Sequence, residues 1–87
     1  MSAAHHNQEV VTSEATAHLG YALRSGESDW VVKNCYGHSI ATIWSSCAER
    51  PETFRCDPWA DILYADAVEA GEFLTVLDYA LRNFTPA

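Results

Sequence analysis

Cys35 and His38 are the residues whose types and spacing come nearest to chemistry. On a helix, Cys-x-x-His puts a soft sulfur and an imidazole on one face, a pair that suits zinc. A tetrahedral site needs two more ligands. Cys47 lies twelve residues further on, about 18 Å along a continuous helix, and joins only if the segment folds back. The same Cys–His pair could serve as nucleophile and base, but no oxyanion loop or glycine-rich nest accompanies it. Cys47 and Cys56 flank Pro51, so a bridge across that loop is conceivable on spacing. An odd cysteine count in a chain expected to be cytoplasmic argues against a disulfide framework. Buried, inert thiols are therefore the expectation. His5 and His6 are adjacent in a polar arm and suggest no site. Asp57, Asp61, Asp66 and Glu69 form no paired acid–base constellation and read as a solvated face. No catalytic residue, cofactor or metal is expected, and the chain is not expected to be an enzyme.

The overall balance excludes more. The 87 residues make one domain. Twelve Asp and Glu against five Lys and Arg give a formal net charge of -7, with the cations scattered at Arg24, Lys33, Arg50, Arg55 and Arg82. Binding a phosphate backbone needs clustered cations, and an anionic membrane surface would repel the chain. No apolar run approaches the roughly 20 residues of a spanning helix, and the start of the chain does not read as a signal peptide. A cytoplasmic location follows as the default. A chain this short buries only about 60–65% of its unfolded surface, so a second subunit or partner is a natural source of further burial.

These residues must be positioned by elements, and spacing suggests mostly helices. Residues 1–11 read as a flexible arm and 12–87 as a single helical domain. Thr12 or Ser13 can cap a helix over about Ser13–Ser25, ended by Gly26. Gly20 would weaken it by about 1 kcal/mol. Val32, Cys35, Tyr36, Ile40, Ile43 and Cys47 recur at helical spacing. Trp30-Val31-Val32 and Ile40 to Trp44 are instead rich in strand formers, with Gly37-His38 as a hairpin turn. Spacing puts the helix first and leaves a hairpin at about 30–45 as the alternative. Asp57-Pro58 is a cap followed by proline at the first helical position, and the apolar phase then runs through Gly71 to about Asn83. The fold expected is mainly α: a small bundle of about three helices with a long C-terminal amphipathic helix.

That last segment carries two apolar rows. Leu63, Ala67, Ala70, Leu74, Leu77, Leu81 and Phe84 alternate in steps of four and three, a seam for the core or for self-association. Ile62, Phe73, Val76 and Ala80 run beside it. Three short helices can bury one row and have little left to cover a second. Trp30, Trp44 and Trp59 add bulk that such a core cannot readily enclose, and indoles are common anchors of interfaces. The contact surface expected for a partner is Trp30, Tyr36, Ile40, Trp44, Phe73 and Val76, on a chain that forms a homodimer around its last helix.

Asp57-Pro58-Trp59-Ala60-Asp61-Ile62-Leu63 opening an amphipathic helix, with the Cys35-Tyr36 to Trp44 segment, resembles the QslA-type bacterial antiactivators in general format. The resemblance implies a homodimer that binds a LuxR-type quorum-sensing regulator and prevents its dimerisation and DNA binding. It assigns no role to a particular residue. The function expected is thus a non-enzymatic regulator that restrains a protein partner by covering its interface. Two alternatives stand beside it: an acidic DNA mimic or phage-type inhibitor, whose binding would weaken steeply with salt, and a small zinc or thiol module.

Overall fold

The computed structural model describes residues 8–45, 49–63 and 65–86. The chain is mostly β, which overturns the expected helical bundle. Six strands form one antiparallel sheet in chain order: β1 (Val10–Val11), β2 (Gly20–Arg24), β3 (Asp29–Asn34), β4 (Ser39–Ser45), β5 (Phe54–Pro58) and β6 (Val68–Ala70). One helix, α1 (Phe73–Asn83), lies across one face. The tract from Val10 to Val11 belongs to the sheet, at the end of the stretch read as an arm.

The segment left between helix and hairpin is the hairpin. Trp30 and Val32 point inward from β3, while Asp29, Val31 and Lys33 are more exposed, the period-two pattern of a half-buried strand. Asn34 makes the turn. Its Oδ1 accepts the backbone N–H groups of Tyr36 and His38 at 2.9 and 3.0 Å, and Gly37 supplies a φ of +81°. The register shifts after Val32, which pairs with Ala41 while Lys33 pairs with Ser39. That bulge lets two consecutive residues, Ile40 and Ala41, both be fully buried. Helical spacing failed here because Cys35 and Tyr36, counted in the helical stripe, are exposed turn residues.

The expected first helix is instead a run of turns over residues 14–19 followed by β2. The hydroxyl of Ser13 does not cap a helix. It donates to Asp78 of α1 at 2.6 Å, and buried Thr16 donates to the same carboxylate at 3.0 Å. Gly20 then takes a φ of +154° where the backbone of Lys33 passes close by. This tertiary contact outweighs the helical spacing of Ala15, Leu19, Ala22 and Leu23.

The long C-terminal helix is also shorter than expected. Pro58 closes β5, Trp59 donates its backbone N–H to Ile40 at 2.8 Å, and an irregular stretch leads to β6. Asp57-Pro58 therefore ends a strand rather than capping a helix. Among the described residues only Phe73–Asn83 is helical, 11 residues. Its Val76, Leu77 and Ala80 are fully buried, Phe84 just beyond it nearly so, and Phe73 and Leu81 pack against the same core. Residues of both apolar rows thus lie on one face of one helix, and the sheet covers both. The shortage of wrapping inferred for the helix does not exist there, because the wrapping comes from strands that helical spacing had concealed.

Candidate functional site

One helix covers one face of a six-stranded sheet and leaves the other open. Alternation decides what that open face carries. Leu23 pairs with Val31, Val31 with Thr42 and Thr42 with Asp57, a row that crosses four strands. Val10 extends it at the β1 edge. A neighbouring row runs Asp29, Trp44, Arg55 and Glu69. The inward partners of these residues, among them Trp30, Ile43 and Cys56, form the core.

Two indoles stand out on the open side, Trp44 and Trp59, each 37% exposed. Trp44 is held in place. Its Nε1–H donates to Asp57 Oδ2 at 2.7 Å, and Arg55 Nε donates to the other oxygen of the same carboxylate at 3.0 Å. Asp57 thus fixes one ring and one guanidinium side by side. Trp59 borders a shallow depression of about 300 Å³ with Leu23, Val31 and Lys33. Near it, His38 Nε2 and Asp61 Oδ2 are hydrogen-bond partners at 2.7 Å, tying the β3–β4 turn to the stretch after β5. A pre-positioned aromatic with an apolar floor and a mixed polar rim is what protein interfaces use as an anchor.

The residues expected to meet a partner are scattered by this fold. Trp44 is on the open face. Tyr36 is 90% exposed at the tip of the β3–β4 turn. Ile40 and Val76 are sealed in the core. Trp30 and Phe73 are brought together, with ring centroids 4.9 Å apart, beside an open cleft of about 580 Å³ at the start of α1. Of the self-association seam, Leu77 and Phe84 belong to the core, with Leu81 and Ala70 against it. Leu63, Ala67 and Leu74 are exposed. Leu23, Val31, Asp57 and Trp59 were not singled out as contact residues. Reading 29–34 and 39–45 as strands would have found two further positions, since alternation puts Val31 and Thr42 opposite Trp30 and Ile43.

The two described thiols lie in different settings. Cys35 is exposed and free at the turn, and Cys56 is buried and free. Cys47, and with it the Cys47–Cys56 bridge, lies outside the described residues, as do His5 and His6. Among the described residues no three His, Cys, Asp or Glu side chains gather as metal ligands. Nor does any helix among them have the length and apolarity to cross a membrane. Compared with protein-family models, curated proteins and solved structures, the chain matches none.

Proposed function

We propose that this chain is a non-enzymatic regulatory protein that restrains a protein partner by covering part of its surface with the open face of the sheet. The observation that carries the reading is Trp44: an indole 37% exposed, yet held by Asp57 between Asp29 and Arg55 on the face that also carries Leu23, Val31 and Thr42. A side chain already immobilised loses little entropy on binding, which favours affinity. Lys33 and Arg55 stand on this face among Asp29, Asp57 and Glu69, so its charge is mixed. That favours apolar docking over imitation of a phosphate row.

The open face can also meet a second copy of itself, so the homodimer expected from sequence is proposed here through the sheet and not through a helical seam. The partner class to try first is a transcriptional regulator of the LuxR type, in the cytoplasm, with loss of its dimerisation and DNA binding as the effect. Asp57 to Leu63 does not open a helix, so this partner class rests on general format alone.

The test is affinity capture from a native lysate with the unaltered chain and with Trp44→Ala in parallel, followed by mass measurement. A partner retained by the first and lost from the second is expected, with binding weakened by about 2 kcal/mol or more. The same proteins on both columns would overturn the reading. Sedimentation of the two purified chains separates self-association from partner binding.

A further inference from the structure

We propose that the cleft at the start of α1 binds a neutral, planar aromatic molecule that carries a carbonyl-type hydrogen-bond acceptor. The cleft lies on the helix-covered side of the sheet, so this inference does not rest on the open face. Its volume, about 580 Å³, falls in the range of small-molecule sites, whose walls are mainly apolar with a few placed polar groups. Val11, Trp30, Phe54, Phe73 and Leu74 supply the apolar wall. Phe73 stands edge-on to both Trp30 and Phe54, at centroid distances of 4.9 and 5.4 Å. This aromatic group is fixed before any ligand arrives, and a flat ring can add to it by stacking or by an edge contact.

Two observations narrow the ligand further. Trp30 is only 9% exposed, and its indole N–H finds no acceptor among the described residues. Among the described residues no buried side-chain nitrogen or oxygen is sealed off without a partner, so this N–H reaches solvent, and the ring that carries it lines the cleft. An indole N–H can only donate, and a ligand acceptor is what it lacks. Arg24 is the cation of the cleft, and it is already matched. Its guanidinium lies 5.1 Å from the Trp30 ring centroid, donates to the backbone carbonyls of Gly26 and Glu27, and pairs with Glu9 at 3.4 Å. With those groups satisfied, the site offers no unmatched positive charge to an anion, and Glu27 on its lining adds a negative one; the apolar wall in turn favours a ligand that brings no charge of its own.

Prodan, a neutral naphthalene bearing one ketone, is a suitable probe because its emission shifts to the blue when it leaves water. Titrated into the full-length chain, it should bind saturably at one site per chain with blue-shifted emission. Trp30→Phe keeps an aromatic ring and removes the donor, and should weaken binding about fivefold. Leu74→Arg, at an exposed rim position, should weaken it about tenfold by placing a charge at the mouth. Circular dichroism confirms that each variant is folded, and the rim variant decides the matter if the tryptophan variant is not. Trp44→Ala, on the opposite face, should leave binding unchanged. Absence of saturable binding, equal binding by all the variants, or loss only in Trp44→Ala would overturn the proposal.

Discussion

Cys56 and Asp57 are neighbours in β5 that face opposite ways. Cys56 sits opposite Ile43 in the core, and Asp57 opposite Thr42 on the open side. Burial, and after it the negative charge of Asp57, push the Cys56 thiol up from 9.0 to about 12. It stays protonated at any physiological pH and is a poor nucleophile. A thiol reagent at pH 8 should therefore modify Cys35 in the native chain and reach Cys56 only after unfolding, as peptide masses would show. The raised value also has a consequence for stability. The unfolded chain releases this proton above about pH 9, whereas the folded chain holds it to about 12. The unfolded state then binds fewer protons, so this contribution is complete below pH 9 and is lost as pH rises through that window. Urea midpoints should fall more steeply from pH 9 to 11 for the unaltered chain than for Cys56→Ala. Equal slopes would show that the thiol is not sealed as described.

Among the elements, β2 is the clearest case of tertiary contact overriding local preference. A Cβ at Gly20 would lie 2.1 Å from the Lys33 carbonyl oxygen and 2.6 Å from Leu81 Cδ2, at a φ of +154°. The tip of Leu81 can shift, but the backbone of Lys33 and of Asn34, 2.8 Å away at its Cα, cannot yield cheaply. Gly20→Ala should thus destabilise the chain by about 3 kcal/mol, measured as a shift in denaturant midpoint. A shift below about 1 kcal/mol would mean that β2 does not pass so close to β3 and α1. Helix α1 shows the opposite relation. Its apolar spacing was visible over Phe73–Asn83, and the helix is there. What misled was continuity: the apolar phase ran back through Gly71 to Leu63 although β6 and the stretch before it intervene. A period of three and four does not exclude strands when the apolar residues on them happen to fall at those intervals.

For the molecule as a whole, the layer count governs what is left exposed. A sheet with one helix has one covered face and one open face, and the open one carries Trp44, Val31 and Leu23 with charges of both signs. Association through it should depend weakly on ionic strength. Between low salt and roughly 0.5 M, where screening is strong, the affinity of a captured partner should change by less than about threefold. A fall of orders of magnitude would point to an acidic surface imitating nucleic acid, the reading that the net charge of -7 keeps in view.

Local chemistry was readable from the residues alone. Gly37-His38 could be marked as a turn, though only within the hairpin alternative, and Phe73 to Asn83 as the last part of a longer expected helix. Each of these depends on groups a few residues apart. The choice of sheet over bundle does not. Trp30 to Trp44 contains both a helical spacing and a run of strand formers, and only pairing with β2 on one side and β5 on the other settles it. Those partners are distant in the chain, and their backbone hydrogen bonds have no counterpart in a periodicity. The same pairing turned the supposed excess of helical apolar surface into core and moved the uncovered surface to the far side of the sheet.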